Sequence, residues 1–151
     1  MAQEIQFTGN SHSCCVCFVD VVDSTRITTV EITNAEKIKR YYSIFINTMA
    51  IIARNFGANI IKNTSDSLVF THISAFKDVL EYGLTMIAVN PIISANLHEE
   101  LLPSLHYRIS TDYGRVEFAK SLASTTEDLF GSTVSICSKI NSKAAPNGVY
   151  L

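Results

Sequence analysis

Nine consecutive residues, Cys14-Cys15-Val16-Cys17-Phe18-Val19-Asp20-Val21-Val22, are apolar and rich in β-branched side chains except for a single carboxylate. A short branched run of this kind reads as a β-strand buried on both faces. The charge inside it has to be paired, neutralised or bound to a cation, because an isolated buried carboxylate is prohibitively unfavourable. The chain therefore needs a sheet with cover on both sides and a group that answers Asp20.

With 151 residues, 47% hydrophobic and 17% charged, the chain has enough apolar material for one such domain and little room for a second. Residues 1–13 read as a polar N-terminal segment and 14–151 as the domain, whose end at Leu151 reads as cut. A net charge of −2 gives no reason to expect a nucleic-acid partner. The longest apolar run, Cys14 to Val19, falls far short of the roughly 18 residues that span a bilayer, and residues 1–13 lack the apolar core of a signal peptide. A cytoplasmic location without a membrane segment is expected. Cys14, Cys15 and Cys17 crowd the strand while Cys137 lies far away, with neither a CxxC pair nor a ligand-spaced histidine, so buried reduced thiols are expected.

Along the chain, a polar loop follows the first strand, and Thr33-Asn34-Ala35-Glu36 reads as a capping box. The helix it opens carries an apolar stripe at Ile38, Tyr41 or Tyr42, Phe45, Met49, Ile52 and Phe56, with Gly57 as its stop. Ile60-Ile61 and Leu68-Val69-Phe70 flank the turn formers Asn63-Thr64-Ser65-Asp66 and predict a hairpin. A second helix is expected from Ser74 through Ile87, ended by Asn90-Pro91, then an irregular connector over 91–103. Alternation at Leu105, Tyr107 and Ile109, then Gly114, then Val116 to Ala119, predicts a second hairpin turning at the glycine. A Ser/Thr-rich loop over 120–127, a third helix from Gly131-Ser132 to Asn141 and a final strand after Pro146-Asn147-Gly148 complete the chain. The order βαββαββαβ is that of an α+β domain: a ferredoxin-like antiparallel sheet with covering helices.

Two carboxylates stand out. Asp20 lies in the first strand and Asp66 in the hairpin turn, and if the hairpin adjoins that strand both reach one sheet edge, where paired carboxylates hold hard divalent cations beside phosphates. The plainer alternative is that Asp20 pairs with a Lys or Arg and Asp66 is simply a turn residue. The Val22-Asp23-Ser24-Thr25 loop can turn its amides toward a phosphate although it lacks a Gly-rich signature. On the third helix Ser132, Ser135 and Lys139 share one face, which on spacing alone reads first as a solvated surface.

Four segments, in order, resemble the catalytic domain of class III adenylyl and guanylyl cyclases from Val16 to Leu151. CFVDVVDSTRIT is similar to F-x-D-I-x-G-F-T, KNTSDSLVF to K-x-x-G-D, YRISTDYGRV to R-x-G-I-x-x-G-x-V, and EDLFGSTVSICSKINSKAAPNGVYL to D-x-W-G-x-x-V-N-x-A-S-R-M and the strand beyond. The resemblance implies two Mg²⁺ or Mn²⁺ ions held by Asp20, Val21 and Asp66, and a triphosphate embraced by the main chain of Val21, Val22, Asp23, Ser24 and Thr25. It also implies a phosphate contact from Arg108, base reading by Lys62 and Asp128, and catalytic roles for Ser135 and Lys139. A Lys donor beside a carboxylate acceptor matches the acceptor N1 and donor N6 amine of adenine, whereas guanine presents the opposite polarity, so ATP is the expected substrate. A Lys62–Asp128 surface ion pair is the plainer alternative.

The activity implied is conversion of ATP to 3′,5′-cyclic AMP and pyrophosphate in a head-to-tail homodimer. Asp20, Asp66 and Arg108 of one copy would face Lys62, Asp128, Ser135 and Lys139 of the other. Departures are specific. Ser135 and Lys139 stand where the family has Asn and Arg, Ser65 and Asp23 where it has Gly, Phe130 where it has Trp, and the chain stops before a later phosphate-contacting lysine. Lysine keeps the charge but loses the planar bidentate fork, so the alternative is a weak or inactive cyclase-like domain that binds nucleotide and regulates a partner.

Overall fold

The computed structural model describes residues 7–73, 76–121 and 127–150. The buried run does form a strand, β1, but it starts earlier than its apolar part, spanning Phe7–Val21. The start was illegible because residues 9–13 carry no apolar side chain and four of the five are exposed, and their order comes from pairing with β4 (Tyr107–Ser121) rather than from burial. Alternation divides the strand between two cores. Cys15, Cys17, Val19 and Val21 enter the larger one, while Cys14 and Val16 enter a smaller one on the opposite face. Asp20 belongs to the second series.

A one-turn helix α1 (Ser24–Arg26) and a wide helical turn over Ile27–Glu31 replace the expected open loop after β1. Helix α2 (Ala35–Asn55) begins at Asn34, whose side chain accepts from the Glu36 and Lys37 amides, one position later than the capping box places it. Its stripe buries Tyr41, Tyr42, Phe45, Met49 and Ile52, and Gly57, at φ +81°, ends it as expected. The hairpin β2 (Asn59–Asn63) and β3 (Ser67–His72) forms as read.

Two expectations fail in the middle of the chain. Helix α3 (Phe76–Ala88) is followed at once by a further helix, α4 (Asn90–Glu99), instead of an irregular connector; Pro91 sits in its first turn, where a missing N–H costs nothing. The expected start at Ser74 lies outside the described residues. Gly114 is not a turn either. It lies mid-strand in the 15-residue β4, opposite Cys14, and its missing side chain admits Thr133 from the helix above. The second hairpin instead joins β4 to β5 (Asp128–Phe130), with pairs at Glu117↔Phe130 and Ala119↔Asp128. Most of the Ser/Thr-rich loop, 122–126, lies outside the described residues. Helix α5 (Ser132–Lys143) and β6 (Val149–Tyr150), parallel to β4, close the fold.

The sheet order is β2-β3-β1-β4-β5, antiparallel throughout this path. Helices α2, α3 and α4 cover one face with the larger core and α5 covers part of the other. The sheet curls so far that Lys62 on β2 reaches Asp128 on β5, two strands at opposite ends of that order. All four cysteines are buried and outside any disulfide, as expected.

Candidate functional site

The register of the three central strands builds the site. Asp20 stands opposite Arg108 on β4 and opposite Ser67 on β3, so Asp66 follows directly beside it, and the Val21 N–H donates to the Asp66 carbonyl at 2.9 Å. Both carboxylates thus meet at one end of the sheet, in an open cleft of about 570 Å³ lined by Asp20, Asp66, Arg108 and the Asp23–Arg26 turn.

Asp20 is answered by two neighbours. Arg108 donates bidentately, Nε to Oδ1 at 3.1 Å and Nη2 to Oδ2 at 3.3 Å. From α5, Asn141 Nδ2 donates to Oδ1 at 2.7 Å. Both carboxylate and guanidinium are about three-quarters buried, a setting in which the pair is stronger than at an open surface. Asp66 takes only neutral donors, Ser24 Oγ at 2.7 Å and Thr64 Oγ1 at 2.9 Å. These orient its carboxylate without cancelling its charge.

The turn that borders the cleft is held from behind. Tyr42 of α2 and Thr28 both donate to the Ser24 carbonyl, at 3.2 and 3.1 Å. Asp23 sits at φ 56°, ψ 35°, the left-handed region, which explains physically why a glycine would suit the position. The Val21 and Val22 amides are spent inside the fold, the latter on the His106 carbonyl at 2.8 Å. Val22 borders an adjoining cavity with His106 and Pro103, which shares Asp23 and Arg26 with the cleft.

The remaining expected residues lie away from this cleft. Lys62 Nζ meets Asp128 Oδ1 at 2.8 Å, with both side chains nearly half exposed. Burial alone would push the Asp128 carboxyl up, but the hydrogen bonds from Lys62 and from the Leu129 amide, with the Lys62 charge, outweigh it and hold the group below its usual value. Ser135 and Lys139 are exposed on α5, and Ser135 Oγ donates back to the Gly131 carbonyl at 3.3 Å. The carboxylate cleft and the Lys62–Asp128 pair are thus separate on one chain, and Ser135 and Lys139 stand on the exposed side of α5. Among the described residues no three His, Cys, Asp or Glu side chains gather as a ready metal cluster.

Sequence reasoning missed Asn141, Thr64 and Arg26. Asn141 had a readable signal: Thr133, Cys137 and Asn141 form the buried stripe of α5, and a polar residue continuing such a stripe requires a partner. Arg26 lines the cleft while paired with Glu31 at 2.5 Å.

No protein-family model and no curated protein matches the sequence. Solved structures do match the fold. The guanylyl cyclase Cya2 superposes with a TM-score of 0.83 at 18% identity, over 93% of this chain and 75% of that one. The adenylyl cyclase CyaB from P. aeruginosa gives 0.82 at 17%, over 97% and 78%. The guanylate cyclase domain of RhGC from Catenaria anguillulae, solved in complex with GTP, gives 0.75 at 16%, over 93% and 78%. The curled sheet with its covering helices is the fold of class III adenylyl and guanylyl cyclase catalytic domains.

Proposed function

We propose that the chain is a nucleotidyl cyclase domain that converts ATP to 3′,5′-cyclic AMP and pyrophosphate at sites shared by two copies. The observation that carries this reading is the convergence of Asp20, Asp66 and Arg108 in one cleft on this fold. Two carboxylates, Asp20 and Asp66, with the Val21 carbonyl form an all-oxygen donor set, which suits Mg²⁺ or Mn²⁺ better than softer metals. Asp20, Asp66 and the Val21 carbonyl would hold the ions. Such ions lower the pKa of the ribose 3′-hydroxyl and neutralise phosphate charge.

The protein groups divide the rest of the work. Ser24 and Thr64 fix the Asp66 carboxylate. Arg108, which lines the cleft with its fork on Asp20, would bring positive charge to the phosphate oxygens. Lys62 and Asp128 present a donor and an acceptor side by side, the complement of the adenine edge. Lys139 supplies positive charge at the α-phosphate, where negative charge grows, and Ser135 orients the ribose. Separation of these groups on one chain supports a head-to-tail homodimer as the active unit.

Mixing an Asp20→Ala subunit with a Lys62→Ala subunit tests this. Each alone should be inactive, and the mixture should recover up to a quarter of wild-type cyclic AMP formation, since random pairing makes half the dimers mixed and each mixed dimer keeps one intact site. No recovery, with both variants folded and dimeric, refutes the shared site. ATP and GTP assayed side by side with Mn²⁺ settle the base.

A second reading, a nucleotide-binding domain of low turnover that regulates a partner, draws on α5. Ser135 is occupied with Gly131, and Lys139 offers a point charge without a fork. Tight ATP binding without cyclic product, together with activity gained in Lys139→Arg, is the result that selects it.

A further inference from the structure

Asn141 combines two features that a structural role explains poorly. It is 6% exposed, and its Oδ1 is buried without a hydrogen-bond partner, which disfavours the folded state relative to an apolar side chain of similar volume. Its amide nitrogen nevertheless donates to Asp20 Oδ1 at 2.7 Å. The opposite amide orientation would set a carbonyl against a carboxylate, so the hydrogen bond fixes which way the group faces.

The bond makes the Asp20 carboxylate asymmetric. Oδ1 receives two donors, Asn141 Nδ2 at 2.7 Å and Arg108 Nε at 3.1 Å; Oδ2 receives one from Arg108, at 3.3 Å. Arg108 is tethered in turn by the Ser142 carbonyl at 3.4 Å, so the C-terminal end of α5 holds both members of the pair. We propose that Asn141 is a positioning residue for the cation site, pinning Asp20 through Oδ1 so that Oδ2 is the oxygen offered to a divalent cation. The inference rests on the reading of Asp20 as a cation-binding carboxylate. It also gives α5 two duties, Asn141 toward its own cleft and Ser135 and Lys139 outward.

Outer groups that orient a metal-binding carboxylate are typically worth 10–100-fold in metal affinity. The test is titration of the full chain with Mn²⁺ alone, free ion read by electron paramagnetic resonance, with thermal unfolding recorded alongside. Wild type should bind, Asp20→Ala should lose the site, and Asn141→Leu should bind about tenfold more weakly while its Tm stays level or rises, because the orphaned oxygen has gone. Asn141→Ala, which overpacks nothing, repeats the measurement should leucine not fit. Weaker binding without a lower Tm is a signature that a merely structural role would not give. Unchanged affinity in both Asn141 variants overturns the inference and leaves the cation reading standing. Wild type that binds no Mn²⁺, or an Asp20→Ala variant that binds as well as wild type, overturns both.

Discussion

Replacing Gly114 with alanine would place a methyl group 2.4 Å from Thr133 Oγ1, well inside contact distance. Thr133 cannot easily yield. It is 5% exposed, β-branched and set in the first turn of α5, so relief requires the helix to lift from β4. Overpacking of this kind costs about 1–3 kcal/mol. The position has no left-handed φ, so the alanine also stiffens the unfolded chain, which returns about 0.4–1 kcal/mol. The balance is a loss of roughly 1–2 kcal/mol, or a Tm lower by roughly 2–8 °C for a domain of this size. Thr133→Ala removes the obstructing oxygen and leaves Thr133 Cβ at 3.6 Å, an ordinary contact. The double variant should therefore be more stable than the sum of the single losses predicts, by about 1 kcal/mol or more. Urea unfolding followed by circular dichroism measures all three variants. A Gly114→Ala protein as stable as wild type, or strict additivity in the cycle, would show that α5 does not press on β4 at this point.

The Lys62–Asp128 pair contributes only a few tenths of a kcal/mol, being half exposed. Because the folded Asp128 carboxyl is depressed, that contribution is present above the ordinary value of 3.8 and fades as pH falls below it; Lys62→Met should flatten this acid limb of the stability curve. Burial pushes the Cys17 thiol up to about 12 and the Cys15 and Cys137 thiols up to about 11, so a thiol-specific reagent at pH 8 should modify none of the four cysteines until denaturant is added. Rapid labelling of the native protein would contradict the packing of β1. Asp23→Gly relieves a left-handed backbone and removes a carboxylate from the cleft, so it should leave stability within about 0.5 kcal/mol and tighten ATP binding in calorimetry; weaker binding would mean that the Asp23 carboxylate itself contacts the ligand.

Where burial imposes a period, the sequence was readable. Alternation in β1 sends Cys15, Cys17 and Val19 one way and Cys14 and Val16 the other, and that parity alone puts Asp20 on the α5 face. The α2 stripe and the β2–β3 hairpin follow from equally local rules. Signals whose meaning depends on distant partners misled. Pro91 ends one helix only to open the next, and Gly114 makes room for Thr133, a residue 19 positions later, instead of turning the chain. Arg108 and Asp20 are 88 residues apart, and only the strand register brings them face to face. Residues 9–13 carry no apolar period because their order is enforced by β4.

The clasp between the outermost strands has an evolutionary corollary. Lys62 and Asp128 meet across the seam where the curled sheet comes back on itself, so a change at either one leaves the other facing water without its partner. If the pair reads the base as proposed, a switch in purine preference should travel through exchanges at both positions together.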